Sequence, residues 1–245
     1  MSARVTLATA RRVLLQIARD HRTVALLVLV PVLLMVILRG MFDAQPALFD
    51  QIGAPLLGLF PLITMFLVTS IAMLRERTTG TLERLLSMPV AKLDILVGYA
   101  IAFAAAALVQ IAAVAAVSFG ALGLDSARAP VWVAAIGLLN ALLGVCFGLF
   151  VSAFARTEFQ AVQFMPAFVF PQLLLCGLFV PRDQMAGILE AISYALPLTY
   201  AYDALARIAS PEALGARFWV DVGVTAAAAL LGLALGAATL RRRTD

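Results

Sequence analysis

Hydrophobic residues in this chain come in long blocks separated by short polar stretches, without the alternation of a half-buried strand. A hydrocarbon layer about 30 Å thick takes about 20 helical residues per crossing. Six blocks approach or exceed that length: 24–38, extending to 41 if Arg39 snorkels, then 52–74, 95–122, 131–154, 161–180 and 218–240. Backbone groups in hydrocarbon have no water to bond, which favours helices. The pattern predicts an all-α integral membrane protein with six transmembrane helices, organised as one transmembrane domain over residues 1–245.

Two further elements fall between the blocks. Across 4–20, Val5, Ala8, Val13, Leu14, Ile17 and Ala18 oppose Arg4, Arg11, Arg12 and Arg19. That spacing makes segment 1–23 an interfacial amphipathic helix; a basic leader of marginal helicity is the alternative. The connection 181–217 is too apolar for a plain loop: Met185, Ile188, Leu189, Ile192 and Leu196 precede Pro197, and Leu198, Tyr202, Leu205 and Ile208 follow it. Two short helices lying at, or re-entrant into, one leaflet fit this stripe. Gly144-x-x-x-Gly148 and Gly232-x-x-x-Gly236 allow close helix approach. Pro31, Pro55, Pro61, Pro166 and Pro171 predict irregular helices in spans one, two and five.

Composition narrows the picture. With 63% hydrophobic and only 13% charged residues, the chain cannot hide its apolar surface in a soluble fold. Loop charges then orient it. Arg4, Arg11, Arg12, Arg19, Arg22, Arg75, Arg77, Arg84, Lys92, Arg156, Arg241, Arg242 and Arg243 fall on one side, thirteen in all, against Arg39, Arg128, Arg182, Arg207 and Arg217 on the other. The excess places both termini and the 75–94 segment in the cytoplasm. No basic stripe with interleaved aromatics occurs, so the net charge of +4 implies anionic lipid as a partner and no nucleic acid.

Catalytic chemistry is sparse. His21 is the only histidine, and Cys146 and Cys176 fall inside spans, so neither a metal site nor a disulfide framework is expected. The single lysine, Lys92, follows no glycine-rich loop, which excludes a P-loop on this chain. No acid, lysine or histidine sits in mid-span, which disfavours a proton-driven carrier, although Asp221 and Glu158 lie near span ends. Gln110, Asn140, Gln163, Gln172, Thr64, Thr69 and Ser70 are placed to bond between helices. Phe60, Met65, Phe66, Phe164, Met165 and Phe168 could line a path for an apolar substrate, or contact lipid.

The polar stretch 75–90 stands apart. Gly80 can cap a short helix with Glu83 at its third position, and Leu82, Leu85 and Leu86 share one face before Pro89 stops it. Glu76-x-x-x-Gly80-Thr81-Leu82-Glu83 followed by Leu86 and Pro89-Val90 resembles the permease subunits of ABC type-2 exporters, which include drug and antibiotic exporters. Gly177-Leu178-Phe179-Val180-Pro181 and Pro197-Leu198-Thr199-Tyr200-Ala201 near the end resemble them too. The resemblance implies a multi-pass protein of the bacterial plasma membrane. It also implies a second permease protomer, identical or different, and two separate ATPase subunits holding ATP and Mg, this chain binding no cofactor and being no enzyme. Glu76, Gly80, Leu82, Glu83, Leu85 and Leu86 would couple to the ATPase, so Leu85→Asp is expected to uncouple transport. Gly177, Pro181, Pro197 and Tyr200 would form an outer gate. The transported class would be amphiphilic: drug, antibiotic, or the lipid or polysaccharide of other exporters. The residues alone also leave open an ATP-independent carrier or channel, or a scaffold.

Overall fold

A computed structural model describes residues 2–87, 90–211 and 213–239. The helices are α1 (Ala3–Arg19), α2 (His21–Met41), α3 (Pro46–Thr78), α4 (Thr81–Ser87), α5 (Lys92–Gly120), α6 (Pro130–Val151), α7 (Glu158–Leu175), α8 (Gly187–Ser193), α9 (Pro197–Ala209) and α10 (Ala216–Thr239), with a 3-10 turn at Arg182–Gln184. No strand occurs among the described residues. Local chemistry sets several starts. Asp20 accepts from the Thr23 N–H at 3.1 Å and its hydroxyl at 2.7 Å, capping α2. The Thr157 hydroxyl accepts from Gln160 N–H at 3.2 Å to cap α7. Pro46, Pro130 and Pro197 open α3, α6 and α9, where a missing N–H costs nothing.

Among the described residues, five helices, α2, α3, α5, α6 and α10, are long and apolar enough to cross a membrane. The block 161–180 forms α7, which is shorter than expected. It has 18 residues, is diluted by Gln160, Gln163 and Gln172, and ends at Leu175 because the chain turns at Cys176 and Gly177. The five span prolines all lie inside helices with no break, so the irregularity expected of them is confined within continuous α2, α3 and α7.

The bundle is built around α3 and α6. A Cβ on Gly144 would overlap the Leu62 carbonyl, and one on Gly148 would stand 2.6 Å from the Phe66 carbonyl oxygen, so these glycines set how closely α6 lies on α3. Gly232 lets α10 rest on the other side of α6, where its Cβ would lie 3.2 Å from Cys146. Some of the neutral polar groups act between helices as expected: Asn140 Nδ2 donates to the Gly58 carbonyl at 3.1 Å, and the Thr64 hydroxyl donates to Gln110 Oε1 at 2.8 Å, whereas the buried Thr69 and Ser70 hydroxyls make no hydrogen bond. Both cysteines are buried thiols. Helix α9 is a core element, with Leu198, Leu205 and Ile208 buried, whereas Ile188, Leu189 and Ile192 leave an apolar side of α8 exposed.

Polar ties gather at two ends of the bundle. At one end Arg12 meets Glu76, Arg75 meets Glu158, and Arg77 donates to the Ser152 carbonyl. At the other, Arg39 donates to the Leu122 carbonyl, the Asp125 N–H donates to Asp50, and Arg182 meets Asp203.

Candidate functional site

The segment after α3 turns back through Gly80, whose φ of +71° is left-handed and favours glycine. Its carbonyl accepts the Arg84 N–H at 3.1 Å, so Gly80 does stand at the cap of α4, with Glu83 third in the helix. The reciprocal half of the expected capping box is superseded, because the Gly80 N–H is already engaged with the Arg77 carbonyl at 3.3 Å.

The leucine face differs from expectation. Leu82 is 4% exposed and joins Val13, Met73, Ile95, Leu96 and Tyr99 in one apolar cluster, against which Leu85 is half-buried. This chain covers Leu82 and Leu85 with α1, α3 and α5, so Leu85→Asp would place a charge against the core. The Leu86 side chain, Met88, Pro89 and the 240–245 tail lie outside the described residues. What α4 presents outward is Glu83, Arg84 and Ser87.

Glu76 is buried one turn before Gly80. Arg12 Nη1 donates to its Oε1 at 2.9 Å, and Arg12 Nη2 donates to the Tyr99 hydroxyl at 2.9 Å with the guanidinium 5.8 Å above that ring. Helix α1 is further seated on α5: the Ser2 N–H donates to the Asp94 carboxylate at 3.1 Å, and a Cβ on Gly98 would be 2.7 Å from Thr9 Cβ. The side of α1 facing the protein is therefore Thr6, Thr9, Ala10 and Val13, leaving Leu7, Ala8, Leu15 and Ala18 exposed. Arg12 and Tyr99 were not legible as site residues. Arg12 read as one more headgroup contact, and its partner is 64 positions away. Beside this tie, Arg75 grips Glu158 with two bonds of 2.7 and 3.1 Å, holding the Glu158 carboxyl below its usual range.

The aromatic and methionine set divides. Phe66 stacks on Phe168 with centroids 6.1 Å apart, and Phe168 meets Phe147 edge-on at 5.2 Å. Phe60, Phe164, Met165 and Phe168 are only partly buried around that core. Met65 is fully buried but in the other cluster, with Tyr99 and Phe103, whereas its neighbour Phe66 belongs to the first.

At the far end, Gly177 has φ +102°, and a Cβ there would approach the Tyr202 ring at 3.4 Å. Pro181 leads into the 3-10 turn, Pro197 opens α9, and the Tyr200 hydroxyl donates to the Tyr194 carbonyl at 2.7 Å. What joins these motifs is a charge cluster that the motifs did not reveal. Arg182 Nη2 donates to Asp203 Oδ2 and lies 5.3 Å over the Tyr194 ring. Burial raises the Asp203 carboxyl above its ordinary value, with Arg182 opposing. Asp221, wholly buried, sits between Arg207 at 3.2 Å and Arg217 at 3.3 Å. Oppositely charged residues in an otherwise apolar 181–221 stretch were the available signal.

Among known proteins, two from Escherichia coli K12 are similar. The chain is 28% identical over 153 residues to the one named probable multidrug ABC transporter permease YbhR, covering 62% of this chain and 42% of that protein. It is 25% identical over 180 residues to the one named probable multidrug ABC transporter permease YbhS, covering 73% and 48%. ABC transporter G family member 20 of Dictyostelium discoideum is 27% identical over 143 residues, 58% of this chain and 19% of that protein. The matches thus cover less than half the length of each relative. The family described as ABC-2 type transporter matches residues 4–209. With five apolar spans and that match over most of its length, this multi-pass membrane chain belongs to the ABC-2 type transporter family.

Proposed function

We propose that the chain is the membrane subunit of an ATP-driven exporter. It pairs with a second permease protomer, the same or different, and with two ATPase subunits carrying ATP and Mg. The end holding α1 and α4 faces the cytoplasm of a bacterial cell, α7 completes six crossings, α1 lies in the interface with Leu7 and Leu15 toward lipid, and α8 rests at the outer leaflet. The observation that carries this reading is the continuity of α3. One 33-residue helix, about 50 Å long, runs from the Asp50 end past Glu76 and is joined to α4 by only the two-residue turn of Thr79 and Gly80. Its leucines clamp α4 to the bundle, so force applied to Glu83, Arg84 and Ser87 is transmitted to α3 rather than lost in a loose loop. An amphiphilic substrate moves along the half-buried α3 and α7 surface of Phe60, Phe164, Met165 and Phe168, a reading in keeping with the relatives named as probable multidrug permeases. The motifs from Gly177 to Tyr200, held by Arg182 and Asp203, act as the outer gate.

The test is reconstitution with a copurifying ATPase, measuring vanadate-sensitive efflux of a panel of lipophilic dyes. Arg84→Glu should abolish efflux while leaving the chain inserted and paired. Efflux by the chain alone, insensitive to vanadate, would overturn the proposal in favour of an ATP-independent carrier.

A further inference from the structure

A cavity of about 420 Å³ opens between α1, α2, α3 and α5, at the same end of the bundle as the Arg12 and Glu76 tie. That volume lies in the range of small-ligand sites. Its apolar wall is Val68, Ile71, Ala72 and Phe103, from the ends of two spans, and its polar rim includes Asp20 and Glu76. The charges there do not balance. Arg75, also at the rim, is engaged by Glu158, and Arg12 satisfies only Oε1 of Glu76. Glu76 is 8% exposed, and its Oε2 is buried with no hydrogen-bond partner. A carboxylate oxygen left bare in a buried position is costly and calls for a donor. Asp20, across the same cavity, adds a second carboxylate, which bonds Thr23 and feels Arg75 only through space, while Arg75 itself bonds Glu158.

We propose that this cavity binds the ammonium head of an amphiphile, with Glu76 Oε2 and Asp20 receiving the head and Val68, Ile71, Ala72 and Phe103 receiving the first part of its chain. In the orientation proposed above, with this end of the bundle at the cytoplasmic interface, the polar rim stands on the headgroup side of the apolar wall, the order of head and chain in an amphiphile. An anionic head meets two carboxylates, and an uncharged alcohol offers Glu76 Oε2 only a neutral hydrogen bond. The ammonium has two sources, the ethanolamine head of a membrane lipid or a free lipophilic amine. Occupancy does not depend on ATP or on transport, so it can fail or hold separately from the exporter reading.

Native mass spectrometry of the full chain from detergent micelles tests it, with dodecylamine, dodecanol, phosphatidylethanolamine and phosphatidylglycerol as probes. Dodecylamine should be retained at least about tenfold better than dodecanol, the ratio expected for a charge-assisted hydrogen bond. Ala72→Phe, which fills the cavity and leaves every charge in place, should abolish that preference, and Glu76→Gln should cut it. Should Glu76→Gln fold poorly, Thr79→Lys at the exposed rim supplies a competing ammonium and should also cut it. Phosphatidylethanolamine retained over phosphatidylglycerol and displaced by dodecylamine identifies lipid as the source; dodecylamine retained without such lipid preference identifies a free amine. Equal retention of dodecylamine and dodecanol, or a preference undiminished in Ala72→Phe, overturns the proposal.

Discussion

At the scale of single residues, the two ion pairs at the α1 end of the bundle should differ in worth. The Glu76 side chain is 9% exposed and that of Arg12 is 30%, while Arg75 and Glu158 are 58% and 53% exposed. Removing one member of a buried pair leaves the other charge without compensation, whereas an exposed pair contributes between nothing and about 1 kcal/mol. Arg12→Ala should therefore cost about 2 kcal/mol, after discounting for its partial exposure, and Arg75→Ala under about 1 kcal/mol. Thermal unfolding in micelles should show the larger midpoint drop for Arg12→Ala. Asp20 gives a pH-dependent counterpart. Its carboxyl is held below the usual value first by the Thr23 hydroxyl and then by the Thr23 N–H. A depressed carboxyl contributes stability that is present above the unfolded-state value of about 3.9 and lost as pH falls through the lower folded-state value. Asp20→Asn keeps the cap and should change little at neutral pH, while Asp20→Ala loses about 1 kcal/mol. The gap between wild type and Asp20→Ala should narrow as the pH is taken below about 4, leaving the part that a neutral carboxyl, like Asn, still supplies as a cap.

At the scale of elements, α4 carries two separable faces. Truncating Leu82, buried against α1 and α5, removes core contacts and should cost about 3 kcal/mol. Glu83→Lys on the exposed face should leave the unfolding midpoint unchanged and reduce only ATPase-dependent efflux. Helix contacts give a second pair: Gly144→Ala forces a Cβ onto the Leu62 carbonyl, while Gly223 has nothing within 4 Å and Gly223→Ala should be tolerated. Equal stability of the two variants in micelles would contradict the close α3 and α6 contact. The elements themselves were largely legible, because a crossing in hydrocarbon needs an apolar block whatever its neighbours are. What covers an apolar stripe was not legible. Leu82 and Leu85 showed helical spacing, but their burial by this chain rather than by a partner depends on where α1 and α5 lie. The same holds for α9, whose Leu205 stripe resembles that of α8 in sequence yet faces the core. Arg12 and Glu76, or Arg182 and Asp203, are pairs made by tertiary contact, and no local pattern announces them.

At the scale of the whole molecule, the number of crossings turns on α7. Its 18 residues span about 27 Å, just short of a hydrocarbon layer, and Gln160, Gln163 and Gln172 interrupt its apolar run. Its contacts nonetheless link the two polar ends. Glu158 at its start bonds Arg75 at the end of α3, while Gln172 near its finish accepts from the Leu198 N–H of α9, which is seated against Gly58 nearer the start of α3. A helix that begins beside the Arg75 end of α3 and finishes beside an element packed on the other half of α3 supports the sixth crossing proposed above, with residues 176–181 supplying the remaining few ångströms in that reading. Single cysteines at Glu83, Ala127, Arg156 and Asp183, all exposed positions, turn this into a measurement, since native Cys146 and Cys176 are buried. With a membrane-impermeant maleimide on intact cells, Ala127→Cys and Asp183→Cys should label, and Glu83→Cys and Arg156→Cys should label only after permeabilisation. Labelling of Arg156→Cys and Asp183→Cys from the same side would mean that α7 turns back within the layer. The chain would then have five crossings, and its two ends would lie on opposite sides of the membrane.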